Sequence, residues 1–413
     1  MRRLAIAVIF AGIILLNSCQ NSTDEIQTLT IEEQKDTIGT NLPQISITKD
    51  FINWFAEDNS TLLFEQTYCT VEVTNDGFDN LADALPNWSK EHALTLDDSF
   101  SIEFILQCAK EDFLSYFSYQ DVQIGRSDAH IVSLIEDFSE DYTIGGAVNF
   151  GRRGYTFDVQ SGKNLALEDL LIDKEGFYAK ATDYISDKLY EDHSEQLFSD
   201  YKQTIAKILT NEYGVNYYLD AAGIVIVYNP WEVGAYALKE TYMTLPYAIF
   251  DEYLNPDYIL ASDAVIAYVP ANEDISFFTQ TMSPVMIEGT IGDDYEYTGT
   301  YVTSGTYMDD LTKSGFLESA YFIRRTNGKS FLIIGTDYAS DNYDIFVYDI
   351  TDSGLQKCDE LNGARIIGTQ INLYTIALYM EFDILGSYTG EMLYTIEADG
   401  TLTQAEEYRN CCK

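Results

Sequence analysis

Positive charge and histidine are scarce in this sequence. It has 24 Lys and Arg against 67 Asp and Glu, a formal net charge of -43 at pH 7, and three His. No long basic run occurs, whereas recognition of nucleic-acid phosphates needs clustered Lys and Arg. We therefore expect no nucleic-acid partner. The acidic residues are spread over the whole chain, so they either keep the protein soluble by mutual repulsion or attract a cationic partner over a distance.

The motifs of common catalytic sites are also missing. No HExxH, GxSxG, P-loop or dinucleotide-binding pattern occurs. His92, His130 and His193 lie in separate segments, and we interpret His130 as a core or edge residue of an alternating strand. Any pair of carboxylates of the kind glycosidases use could be chosen from so many acids that no pair is indicated. The sequence predicts no catalytic residue and no cofactor, and hence no enzyme.

Metal sites are not indicated either. There is no CxxC pair, and no His lies close to a Cys in the sequence, so no zinc site is expected. Three acidic stretches could offer oxygen ligands to calcium, but EF-hand spacing is absent, and we interpret them as solvated turns: Asp293-Asp294, Asp309-Asp310 and Asp337 to Asp344.

The N-terminal segment predicts the location of the protein. Its apolar run from Leu4 to Leu16 is shorter than the ~20 residues of a membrane span. This disfavours the alternative of a short transmembrane anchor. The run ends in Leu16-Asn17-Ser18-Cys19, small residues before a Cys, as in a processed segment. Residues 1–19 thus resemble a bacterial lipoprotein signal peptide with a lipobox.

This resemblance implies that Cys19 is the acylated first residue of an extracytoplasmic protein. We expect its partner to be the lipid bilayer, held by several acyl chains such as palmitate, because a single chain anchors only marginally. Residues 20–44 are polar and acidic and predict a flexible tether.

The remaining cysteines are odd in number, so at least one is free or pairs between chains. Cys69 and Cys108 could form a disulfide if their strands are neighbours, and Cys411 and Cys412 lie in a predicted mobile tail. The remaining residue is Cys358.

Hydrophobic patterning divides the rest of the chain into three regions. Residues 45–141 predict a small sheet with one or two helices: a strand at Leu62–Val73, helical spacing over Phe78–His92 and Asp97–Tyr116, and strand character over Tyr119–Ser139.

Residues 142–269 alternate between strands and helices. We predict a strand at Arg153–Val159, helix over most of Phe177–Tyr213, a hairpin of Tyr217–Leu219 with Gly223–Tyr228, a strand at Tyr236–Leu245, and a helix whose first residue is Pro246.

Residues 270–413 show short strands separated by Gly, Asp and Asn turns. This pattern predicts an antiparallel β-rich domain, a sandwich or a propeller-like meander. The 32 Tyr favour half-exposed strands. The predicted fold class is therefore α+β, with two small mixed α/β domains followed by the β-rich domain.

Several motifs between residues 45 and 260 resemble a known family. They are Gly145-Gly146-Ala147, Tyr155-Thr156-Phe157-Asp158, Ser161-Gly162-Lys163, Leu167-Glu168-Asp169-Leu170, Ile224 to Ala237 and Leu245-Pro246-Tyr247. Together they resemble the extracytoplasmic RsiV-type domain, a domain of unknown function in most carriers that forms the C-terminal part of the anti-sigma-V factor. The upstream region, with Arg126-Ser127-Asp128, is similar to the companion domain that precedes it.

The resemblance implies a binding or accessory domain, because the anti-sigma-V factor binds lysozyme, a basic protein, through it. Two departures limit what it implies. Val148 stands where members often have His after Gly-Gly-Ala. In some cell-wall enzymes the domain stands beside a polysaccharide deacetylase domain. Here no cytoplasmic segment precedes the leader and no deacetylase region follows, so we expect the likeness to cover only the extracytoplasmic half of an anti-sigma protein.

The best candidate binding site is the loop Asn229–Gly234 with its flanks. Tyr228, Trp231, Glu232 and Tyr236 are the candidate ligand-binding residues. Trp231 is either an exposed hot spot or a plug folded into the core. The leading hypothesis is a non-enzymatic lipoprotein that binds a cationic envelope or host protein, such as lysozyme, or a glycan. The alternative is a peptidoglycan- or glycan-acting hydrolase that uses paired carboxylates.

Overall fold

A computed structural model of the chain describes residues 42–56, 61–92, 107, 109–110, 116–141, 149–211, 214–235, 241–259, 264–289, 299–338, 342–352, 354–382 and 388–408. Several predicted features lie outside these residues: the signal peptide with Cys19, the tether up to residue 41, most of the helix at Asp97–Tyr116, Gly145-Gly146-Ala147, Val148, Tyr236, Asp293-Asp294, and Cys108, Cys411 and Cys412.

Twenty strands lie within the described residues. They are β1 (Ile45–Phe55), β2 (Leu62–Val73), β3 (Tyr116–Asp128), β4 (Ile131–Asp141), β5 (Asn149–Asp158), β6 (Tyr217–Leu219), β7 (Gly223–Tyr228), β8 (Thr241–Pro246), β9 (Val265–Tyr268), β10 (Val285–Glu288), β11 (Tyr301–Ser304), β12 (Tyr307–Asp310), β13 (Phe316–Arg324), β14 (Ser330–Tyr338), β15 (Asn342–Thr351), β16 (Gly354–Asn362), β17 (Ala364–Ile371), β18 (Thr375–Phe382), β19 (Tyr388–Ile396) and β20 (Leu402–Tyr408).

The described helices are fewer. They are α1 (Asp79–His92), α2 (Lys174–His193), α3 (Tyr201–Leu209) and the single turns α4 (Tyr247–Phe250), α5 (Pro256–Ile259) and α6 (Ser276–Thr279). None of the helices in the described part of the chain has the length and apolar character that crossing a bilayer requires. The mixture of helices and mainly antiparallel sheets confirms the predicted α+β class.

The largest sheet joins strands from all three predicted regions. Its order is β1-β2-β3-β9-β13-β14-β15-β16, and β4 and β5 continue from the other edge of β3. β3 pairs along most of its length with β4, and its last residues, Arg126 to Asp128, pair with Val265 to Ala267 of β9. The domain boundaries at residues 141 and 269 stay predictions. The largest sheet contains strands from both sides of each boundary.

One helix covers the first part of this sheet. In α1, Leu81, Leu85 and Trp88 recur at helical spacing and are buried, which is the pattern of an amphipathic helix on a core. They pack on apolar side chains that alternate along β3 and β4, such as Val122 and Leu134. The predicted strand Leu62–Val73 and the helix Phe78–His92 are confirmed, the helix beginning one residue later than predicted.

The middle of the sheet is buried on both faces. In β14, Leu332 and Ile334 face the core with α2, α3 and the sheet β6-β7-β8, whereas Phe331 and Ile333 face the meander β17-β18-β19-β20. A strand covered on both faces reads as a continuous apolar run. In the C-terminal region, β13–β16 and the meander β17-β18-β19-β20 therefore pack face to face as a sandwich, one of the two predicted arrangements, and β10-β11-β12 form a separate sheet.

Four expectations need correction. His130 lies in the turn before β4 and not within a strand. Leu42 and Pro43, assigned to the tether, are buried. Pro246 is the last residue of β8 and precedes the helix. Cys69 is a buried free thiol whose sulfur lies 3.7 Å from the Gln120 carbonyl oxygen, so it does not form the suggested disulfide.

Candidate functional site

The loop after β7 is built around a turn with an unusual residue in it. The Glu232 N–H donates to the Asn229 carbonyl at 3.2 Å, which closes a four-residue turn with Pro230 in second place. Trp231, in third place, has φ +74°. This is the arrangement of a type II turn, in which Gly or Asn normally takes the left-handed third position. Trp231 is nevertheless 63% exposed, so it is not a core plug.

The base of the loop is fixed to β5. Asn229 Oδ1 accepts a hydrogen bond from the Arg152 N–H at 3.1 Å. It lies so close to Gly151 that a Cβ there would be 2.4 Å from this oxygen. The Asn229 N–H in turn donates to Glu232 Oε2 at 2.8 Å. These contacts hold the turn that carries Trp231.

A second exposed aromatic residue lies on the segment that pairs with this loop. The connection between α2 and α3 runs along the loop, with the Phe198 N–H donating to Val233 at 3.2 Å and the Ala235 N–H donating to Gln196 at 2.9 Å. Phe198 is 37% exposed. Three exposed acids, Glu195, Asp200 and Glu232, lie within three residues of Trp231 or Phe198 in the sequence. We call Trp231, Phe198, Glu195, Asp200 and Glu232 the aromatic surface.

The other predicted site residues have different positions. Tyr228 is fully buried beneath the loop, its hydroxyl has no hydrogen-bond partner, and burial raises its pKa above the usual range. One carboxylate oxygen of Glu232 accepts the hydrogen bond from the Asn229 N–H that stabilises the turn. Tyr236 lies outside the described residues. Phe198 was missed because an isolated aromatic residue between two helices gives no sequence signal.

A polar cleft lies beyond the C-terminal end of α1 on the same face of the sheet. Glu136 is 1% exposed there and accepts hydrogen bonds from Gln120 Nε2 at 2.5 Å and the Tyr155 hydroxyl at 3.1 Å. Arg153 Nη1 lies 3.5 Å from it, and the His92 ring packs edge-on against Tyr155. A sequence feature that could have indicated this cleft is Glu136 itself, because it lies on the face of β4 that otherwise carries the apolar residues Val132 and Leu134.

The geometry of this cleft does not match that of a glycosidase. Its cavity volume is about 20 Å³, and a water molecule needs at least ~10–15 Å³. Its second acid, Glu140, is four residues from Glu136 along β4, a separation of about 13 Å at ~3.3 Å per residue. Catalytic carboxylates of glycosidases lie about 5–9.5 Å apart.

The acidic turns considered for calcium make ordinary protein contacts. Asp309 accepts a hydrogen bond from the Tyr348 hydroxyl at 2.8 Å, and Asp310 accepts one from the Thr312 N–H at 2.9 Å. Within the described ranges, no three His, Cys, Asp or Glu residues come close enough together to hold a metal ion.

Comparison with known proteins gives matches at the level of structure. No family model matches the sequence, and no curated protein does. The chain is similar to the crystal structure of a DUF3298 family protein from Pseudomonas aeruginosa PAO1, with 14% identity and a TM-score of 0.38 over 53% of this chain and 96% of that one. A member of the same family from Bacteroides fragilis matches at 14% identity and a TM-score of 0.36, over 53% of this chain and 97% of its own.

Proposed function

We propose that this protein is an extracytoplasmic lipoprotein, anchored through acylated Cys19, that binds a cell-envelope ligand without catalysing a reaction. The ligand would be a cationic envelope or host protein of the lysozyme kind. The observation that carries the proposal is Trp231, a large exposed aromatic residue in a backbone conformation that favours glycine. A left-handed non-glycine residue costs of order 1 kcal/mol, and binding gives a reason for keeping it.

The composition of the aromatic surface fits a basic protein. Trp is among the residues that contribute most to protein interfaces, and well-packed aromatic anchors surrounded by polar rims are typical of them. Here the rim is acidic, with Glu195, Asp200 and Glu232. The whole chain adds a net charge of -43, which would speed the approach of a cationic partner.

Two alternatives remain open to experiment. A glycan could stack on Trp231 through its ring faces and would need no opposite charge. A hydrolase with paired carboxylates would carry its catalytic acids in the β-rich C-terminal region.

A binding assay with matched variants tests the proposal. Full-length protein in detergent is immobilised and exposed to lysozyme and, separately, to insoluble peptidoglycan. We expect lysozyme to bind, and Trp231→Ala to weaken binding by at least about tenfold, as for an interface hot spot. The control is Phe51→Ala, because Phe51 is an equally exposed aromatic residue, 65% against 63%, on the edge strand β1.

Three outcomes would count against the proposal. Lysozyme may not be retained by the wild-type protein at all. Trp231→Ala could bind as well as the wild type. Phe51→Ala could lose as much binding as Trp231→Ala, which would mean that the effect is not specific to the aromatic surface.

A further inference from the structure

A cavity of about 150 Å³ lies where the first described residues meet the C-terminal sandwich. Leu42 and Ile266 form apolar parts of its lining, Ser127 and Thr326 contribute hydroxyl groups, and Tyr374 and Gln44 stand toward the surface. It shares no lining residue with the aromatic surface. A cavity of this size in a protein core has room for a six-membered ring.

Two hydroxyl groups belong to the cavity lining. Ser127 is 2% exposed. It pairs with Ile266 across β3 and β9, so both side chains lie on the face that lines the cavity. Thr326 Oγ1, in the turn after β13, is buried without a hydrogen-bond partner. A buried hydroxyl without a partner is costly, and a ligand in the cavity would satisfy that of Thr326.

The described lining residues carry no charge, which is unusual in a chain with 67 acids. Arg325 is next to Thr326 in the sequence but is not a lining residue. Its guanidinium donates a hydrogen bond to the Leu373 carbonyl at 3.1 Å and lies 5.2 Å from the centre of the Tyr374 ring. Hydroxyl and amide groups both donate and accept hydrogen bonds. The Asn75 and Asn372 amides are already hydrogen-bonded within the chain. The hydroxyls of Ser127 and Thr326 therefore match a ligand whose own groups both donate and accept.

We propose that this cavity binds an uncharged ring that carries hydroxyl groups, namely a single neutral sugar residue. Ser127 and Thr326 would pair with its hydroxyls, and its carbon-bound hydrogens would lie against Leu42, Ile266 and the Tyr374 ring. A charged sugar would bring an ionic group into a lining with no counter-charge, where desolvation is unfavourable. The cavity thus selects neutral sugars over acidic and amino sugars.

Sugar binding to the full-length protein tests this site. The protein is kept in a polyoxyethylene detergent, which carries no sugar, and titrated with glucose, N-acetylglucosamine, glucuronic acid and glucosamine by saturation-transfer NMR. We expect at least one neutral sugar to bind with a millimolar dissociation constant and neither charged sugar to bind. Ser127→Ala and Thr326→Val should each weaken binding by about threefold to tenfold, the loss of one neutral hydrogen bond.

Two control variants make the result specific. Ser186→Ala removes another buried hydroxyl without a partner, on α2 and away from the cavity, and should bind sugar like the wild type. Trp231→Ala should also bind sugar normally, so this site and the proposed function can fail separately. The proposal is overturned if neither neutral sugar binds, if the charged sugars bind equally well, or if Ser127→Ala and Thr326→Val both leave binding unchanged.

Discussion

At the scale of single residues, Trp231 and Asp220 each break a local rule. Trp231 places a bulky side chain where the backbone is left-handed. Asp220 places a carboxyl group in the core beside β6, 0% exposed, with Oδ1 accepting from the Ala222 and Gly223 N–H groups and Oδ2 without a partner. Such violations are retained in natural proteins chiefly where another property depends on them.

The turn at Trp231 predicts an order of stability among variants. Trp231→Gly should be more stable than Trp231→Ala by about 1 kcal/mol, because a Cβ is disfavoured in the left-handed region. Both variants should lose the binding that Trp231 provides. Urea unfolding measures the difference in stability, and equal midpoints for the two variants would mean that the turn relaxes when the indole is removed.

Asp220 predicts a dependence of stability on pH. Burial raises the pKa of Asp220 to about 7, although the Gly223 and Ala222 N–H groups lower it. The unfolded carboxyl releases its proton near pH ~4. Between these values the folded state holds more protons, so the free energy of unfolding contributed by this group falls as pH rises and is lowest above pH ~7.

Asp220→Asn removes this proton equilibrium. It keeps an oxygen that can accept from Ala222 and Gly223. We expect the variant to exceed the wild type in stability by about 4 kcal/mol at pH 8 and to match it near pH 4. Urea unfolding at the two pH values gives the comparison. A difference between the proteins that does not change with pH would contradict the assignment to Asp220.

At the scale of elements, close backbone contact joins β5 to β6. A Cβ on Gly154 would lie 2.0 Å from the Tyr217 carbonyl oxygen, and the Gly154 N–H donates to Asn216 Oδ1 at 2.9 Å. Gly154→Ala should therefore destabilise the protein by about 2–3 kcal/mol, because one backbone must move away from the other.

Gly335→Ala is the matched control for Gly154→Ala. Gly335 lies in β14, and the nearest atom to a Cβ there is the Ser319 side-chain oxygen at 3.2 Å, which can rotate away. The two variants are compared by thermal unfolding. Equal losses of stability in the two variants would show that the close approach to the Tyr217 carbonyl does not cause the destabilisation by Gly154→Ala.

The elements also show what a sequence can predict. β2, α1 and the hairpin β6-β7 were predictable because side-chain periodicity and local turns define them. β9 was missed, because four apolar residues give little periodicity and its place is set by pairing with β3 and β13. Tyr composition misled for a similar reason: Tyr217, Tyr228 and Tyr321 are buried by contacts from distant strands.

The same limit applied to the candidate sites. The loop at Trp231 was recognisable from Pro, Gly and aromatic residues in one segment. The polar cleft and the charge-free cavity combine residues from distant parts of the chain, such as Gln44, Ser127 and Thr326. The uncharged composition of the cavity becomes visible only after folding.

At the scale of the whole molecule, the predicted anchor is separable from the folded part. Cys19→Ala removes the acylation site that the lipobox resemblance implies. We expect the variant to move from the membrane pellet to the soluble fraction, because the bilayer then has no acyl chains to hold. Cell fractionation with an immunoblot measures this, alongside the mass of the mature N-terminal peptide. A variant that stays in the pellet would contradict lipid anchoring.

The placement of β9 has a consequence for the route of folding. Its neighbour β3 precedes it by more than a hundred residues, and its other neighbour, β13, follows it. Pairings between positions so far apart in sequence raise contact order and slow folding. The part of β3 that pairs with β9 therefore stays unpaired until β9 and β13 have been synthesised. In that interval the nascent chain is most prone to wrong strand pairing and aggregation.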